Sequence, residues 1–73
     1  MNTRTNIGKR IAELREQQNL SQRELARRCN IDQAHISRIE RGLLSPSLDT
    51  LAEIAETLDA KVELVPCAQR FPR

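Results

Sequence analysis

Two side chains in the stretch Gln33-Ala34-His35-Ile36-Ser37-Arg38-Ile39 carry the hydrogen-bonding capacity to read a flat, polar edge. The Gln33 amide holds a donor and an acceptor side by side, the pattern that matches adenine N6 and N7. The Arg38 guanidinium is a two-pronged donor that matches guanine O6 and N7. Around them, Ala34 offers a methyl to a thymine methyl group, Ser37 a hydroxyl to a base or a phosphate, and Arg41 a further cation. A well-made bidentate pair discriminates against the wrong base by about 1–3 kcal/mol. His35 falls between the outward and inward sides, and serves either a flanking phosphate or helix packing. Upstream, Gln22 opens another amphipathic run, where the free amides of a helix start favour an anion such as a phosphate. Arg23 either assists it or is simply solvated.

These side chains need rigid elements to present them. Ser21 followed by Glu24 is a capping-box pattern, in which each side chain satisfies an amide at the helix start. Leu25, Ala26 and Cys29 follow on one face, and Asn30 tolerates the left-handed conformation that stops the helix. Asp32 is placed to cap a second helix, Ile36 and Ile39 give it a narrow apolar seam, and Gly42 terminates it. On a 100° step this seam turns Ala34, Ser37, Arg38 and Arg41 to the opposite face. A helix, a tight turn and a second helix of this kind form a helix-turn-helix, whose second helix enters the DNA major groove.

The rest of the chain supplies the support. Residues 1–5 form a short polar arm. Asn6 caps a first helix carrying Ile7, Ile11 and Leu14, with Gly8 in the first turn where its cost is low. That helix turns at Asn19. Pro46 and Ser47 introduce another helix bearing Leu48, Leu51, Ala52, Ile54, Ala55 and Leu58, which stops near Asp59. Residues 60–66 change character: Val62 and Leu64 alternate with Lys61 and Glu63, and Pro66 ends the run. This is a strand pattern with no second strand in the chain to pair with. Antiparallel pairing with the same strand of a second copy solves it, so Val62 and Leu64 are the expected contacts of a homodimer. Residues 67–73 are a tail.

Composition narrows the function classes. A single domain of 73 residues buries only about 60% of its unfolded surface, and its one aromatic, Phe71, falls in the tail, so the core is aliphatic. Residues 1–41 carry nine Lys and Arg against five Asp and Glu, a net +4, whereas residues 42–73 carry three against five, a net −2. A basic front and an acidic rear suit a polyanion on one side and a different partner on the other. No apolar run reaches about 18 residues and no apolar signal segment opens the chain, which points to the cytoplasm. Cys29, Cys67 and His35 follow no metal-ligand spacing. Cys29 reads as a small core residue; Cys67 reads as a tail thiol or a symmetric pair across a dimer. No Gly-rich phosphate loop and no nucleophile–base–orienter set is present, so neither an enzyme nor a cofactor is expected.

The run Leu14-Arg15 through Leu20-Ser21-Gln22-Arg23-Glu24-Leu25-Ala26, then Ile36-Ser37-Arg38-Ile39-Glu40-Arg41-Gly42 and Pro46-Ser47-Leu48, resembles the phage Cro and C1-type (XRE-like) repressor family across residues 6–59. The final strand is similar to the HipB-type antitoxin branch. The resemblance implies a mainly α, lambda-repressor-like bundle of four helices plus the short C-terminal strand. It also implies a phosphate-gripping role for Gln22 and a partly buried salt bridge between Arg15 and Glu40 that joins the first and third helices. The expected function is a dimeric transcriptional repressor binding double-stranded DNA. The alternative is an antitoxin that also neutralises a protein toxin, with Leu43, Leu44, the acidic rear and the tail as contact surfaces. A restriction–modification controller is a further candidate. Leu43 and Leu44 stand where relatives are basic or polar, Asn30 and Asp59 where relatives often carry Gly.

Overall fold

The computed structural model describes residues 3–64, which form four helices: α1 (Thr3–Gln17), α2 (Gln22–Cys29), α3 (Gln33–Glu40) and α4 (Leu48–Thr57). They pack around one aliphatic core of Ile11, Leu20, Leu25, Ala26, Cys29, Ile36, Ile39, Ile54 and Leu58. Ile7, Leu14, Ile31, Leu44 and Leu51 close its margins. Every helix contributes to this core, because none is long enough to be stable in water by its own propensity. The helix-turn-helix of α2 and α3 is therefore held from outside, with α1 packed on α3 and α4 on α2.

Local chemistry sets the boundaries. Ser21 Oγ accepts from the Glu24 amide at 3.0 Å, and Ser47 Oγ from the Thr50 amide at 3.1 Å. All four helices close in the same way, with one residue in the left-handed region: Asn19 (φ 59°), Asn30 (φ 58°), Gly42 (φ 76°) and Asp59 (φ 59°). At each end the amide of that residue bonds back three positions, and the next amide bonds back five. Asn30 reaches the Arg27 carbonyl at 3.2 Å and Ile31 the Ala26 carbonyl at 2.9 Å. Asp59 and Ala60 repeat this with Glu56 and Ala55, at 3.0 and 2.7 Å. This is the Schellman arrangement, which satisfies carbonyls that a helix end otherwise leaves open.

Several expectations are corrected. Helix α1 begins at Thr3 rather than after an Asn6 cap, so residues 3–5 of the expected arm are helical. The capping box at α2 is made from one side only: both Glu24 carboxylate oxygens go to Arg27 and Arg28, at 2.7–2.9 Å. Asp32 occupies the N-cap position of α3, but its side chain makes no capping bond. Its carbonyl receives the His35 and Ile36 amides instead. In α4, Leu48 is 71% exposed and Ala52 is exposed, so the buried stripe is narrower than the apolar pattern. Gly8 is not a low-cost first-turn residue: it is buried where α1 crosses the end of α3. A Cβ there would overlap the Ile39 carbonyl oxygen and stand 2.7 Å from that of Glu40.

Residues 60–64 have no regular secondary structure in the single chain. A strand ladder needs a second strand, and residues 3–64 contain none. Val65, Pro66, the tail 67–73 with Cys67 and Phe71, and Met1 and Asn2 lie outside the described residues. Among the described residues no helix is long and apolar enough to cross a membrane.

Candidate nucleic-acid interface

Helix α3 is anchored by Ile36 and Ile39, which are 0% and 1% exposed. That burial fixes the rotation of the helix and so decides which side chains face out. Gln33, Ala34 and Arg38 are exposed, as is Arg41 just past the helix end, while Ser37 and His35 are half-buried at the edges of the same surface. The expected readers Gln33, Ala34, Ser37, Arg38 and Arg41 thus share one face. Arg41 is partly tied down, its Nε donating to the Ser37 carbonyl at 3.4 Å. The side chains of Gln33 and Arg38 have no hydrogen-bond or ion-pair partner among the described residues, which leaves their side-chain donors available. His35 sits at the flank of this face.

A second cluster lies at the C-terminal end of α3, where Glu40 meets the first residue of α2. Arg15 Nε donates to Glu40 Oε2 at 2.7 Å and Arg15 Nη2 to Glu40 Oε1 at 3.1 Å, a two-point ion pair. The two side chains are only 12% and 5% exposed. Hydrogen bonding to Glu40 holds the Arg15 guanidinium above its ordinary value, outweighing desolvation. Arg15 Nη1 also donates to the Leu20 carbonyl at 2.8 Å, which clamps the segment entering α2. Gln22 completes the cluster, its Nε2 donating to Glu40 Oε1 at 2.9 Å. This last bond has no sequence signal: Gln22 and Glu40 are 18 positions apart and neither residue type demands the other. Arg23, beside Gln22, is exposed and has no partner among the described residues.

On the remaining surface, Leu43 is 62%, Leu48 71%, Val62 45% and Leu64 99% exposed. Leu44 turns inward onto the core, so the Leu43-Leu44 pair divides between surface and interior. Cys29 is buried and its thiol donates to Thr57 Oγ1 at 3.4 Å, the core role expected of it. Gln18 Nε2 donates to the Leu58 carbonyl at 2.7 Å and links the ends of α1 and α4.

Residues 11–65 match the family model HTH_3, described as helix-turn-helix. Over 60 residues the chain is 43% identical to the HTH-type transcriptional regulator y4dL of Sinorhizobium fredii, covering 82% of this chain and 31% of that protein. It is 36% identical to a second HTH-type transcriptional regulator of that organism, y4dJ, over 99% of this chain and 95% of that one. Among solved structures, the restriction-modification controller protein C.AhdI of Aeromonas hydrophila superposes with a TM-score of 0.77. Its identity is 33%, over 80% of this chain and 88% of that one. The chain spans about a third of the length of y4dL.

Proposed function

The chain belongs to the HTH_3 helix-turn-helix family, of Cro/C1 type, and we propose on that premise that it is a sequence-specific DNA-binding transcriptional regulator. It acts as a dimeric repressor on a roughly palindromic operator. The observation that carries this reading is the outward face of α3, where Gln33 and Arg38 stand unpaired over a fully buried Ile36–Ile39 seam. A rigid helix with two bidentate-capable side chains is suited to adenine and guanine edges in the major groove. Gln22, Arg23 and Arg41 would take backbone phosphates, which position the helix without reading sequence. His35 and Ser37 border the contact, and Ala34 is available to a thymine methyl group.

A homodimer is supported by Val62 and Leu64, which are 45% and 99% exposed and follow α4 in an alternating apolar pattern. An exposed Leu on a segment with unpaired backbone groups is stabilised by a second copy. The dimer would set two α3 helices about 34 Å apart, one turn of DNA. Selection of binding sites from a random duplex pool tests the reading. Enrichment of an inverted repeat supports it. Recovery of no sequence preference, or a monomeric mass at micromolar concentration, counts against it.

A further inference from the structure

We propose that the Arg15–Glu40 pair is a positioning device for Gln22, holding its amide ready to donate to a DNA backbone phosphate. This inference rests on the reading of Gln22 as a phosphate contact. Glu40 Oε1 receives Arg15 Nη2 at 3.1 Å and Gln22 Nε2 at 2.9 Å, while Oε2 receives Arg15 Nε at 2.7 Å. An ionised carboxylate only accepts, so it selects the NH₂ end of the Gln22 amide and fixes which way the group is turned. That nitrogen carries two protons. Glu40 takes one, and the other is left for a second acceptor.

The partners are matched to that task. A glutamine at the first position of a helix otherwise samples several rotamers, and ordering it on binding weakens the complex. Glu40 imposes the order in the free protein. A bare carboxylate beside a phosphate would repel it; the two-point Arg15 contact cancels that charge in a site where both side chains are nearly covered. Arg15 also holds the Leu20 carbonyl at 2.8 Å, so the backbone leading into Ser21 and Gln22 is fixed by the same guanidinium. Arg15 and Glu40 thereby act on DNA through Gln22 without touching it.

A double-mutant cycle on DNA affinity tests this. The probe is a labelled duplex carrying the site recovered from the random pool. It is titrated with the parent, Gln22→Ala, Glu40→Gln and the double variant, at a temperature where unfolding curves show each to be folded. Loss of one hydrogen bond to a charged group weakens binding roughly tenfold. Each single variant is expected to show that loss, and the double variant to be no more than about twofold weaker than either single one. Multiplied losses, or Glu40→Gln binding as well as the parent, would overturn the proposal. If Glu40→Gln fails to fold, the side-chain amide resonances of Gln22 in the parent decide. A dispersed proton pair that shifts on adding the duplex supports positioning; an averaged pair that the duplex leaves unmoved refutes it. A parent with no preference for the selected duplex over a scrambled one defeats the underlying DNA reading before any variant is compared.

Discussion

Gly8 of α1 lies against the backbone of Glu40 in α3, so close that a Cβ at Gly8 would stand 2.7 Å from the Glu40 carbonyl oxygen. This approach brings α1 onto the end of the helix whose outer face carries Gln33 and Arg38. Intrinsic helix propensity favours Gly8→Ala by about 1 kcal/mol. Overpacking against backbone, which has no rotamer to yield, reverses the sign. Gly8→Ala is expected to destabilise the fold by about 1–3 kcal/mol in urea unfolding. A gain in stability would show that the two helices can separate freely.

The Arg15–Glu40 pair should be sensitive to removal of one partner. Both side chains are almost covered, so Arg15→Met leaves a carboxylate without its counter-ion and is expected to cost about 3–5 kcal/mol. Arg15→Met with Glu40→Leu removes both charges and should recover much of that loss, as read by the unfolding midpoints of the two variants.

Asp59 ends α4 in the left-handed region, with a negative charge at the negative end of the helix dipole. Its side chain is exposed, so replacement sacrifices no packing. Asp59→Gly should stabilise the domain by about 1 kcal/mol, visible as a rise of roughly 4–8 °C in the melting temperature.

The depressed Glu24 carboxyl predicts a loss of stability in acid. Hydrogen bonds from Arg27 and then Arg28 hold it below the usual carboxylate range. A depressed folded-state value means that this contribution is present above the ordinary glutamate range and is lost as pH falls through the folded value. Between neutral pH and pH about 3, the parent should therefore lose more stability than Glu24→Gln. Equal losses in urea titrations at the two pH values would show that the Arg27 and Arg28 contacts do not persist in solution.

The helices were legible in the sequence because their ends carry strong local signals: Ser21, Asn30, Gly42 and Ser47 act through bonds within five positions. The Ile36–Ile39 seam likewise gave the outward face of α3, since a 100° step needs no tertiary knowledge. What remained hidden depends on contacts between distant segments. Gly8 reads as a first-turn glycine until α3 is laid across it. The Gln22–Glu40 bond joins residues on two helices, with nothing in either to announce it. Asp32 shows the converse failure: a good capping residue at the capping position whose side chain forms no cap. The strand expected from the alternation of Val62 and Leu64 with Lys61 and Glu63 is not seen, because residues 60–64 have no regular secondary structure and period-2 alternation alone supplies no pairing partner.

Sequence reading by the outward face of α3 is measured by fluorescence anisotropy with Arg38→Ala. The parent should bind the selected operator more tightly than a scrambled duplex at fixed salt. Arg38→Ala should lose about 1–3 kcal/mol of discrimination, roughly 5- to 150-fold, at one base pair of each half-site, while keeping its affinity for the scrambled duplex to within a few-fold. Equal affinity of the parent for operator and scrambled DNA, or an Arg38→Ala variant with the parent's specificity, would contradict it.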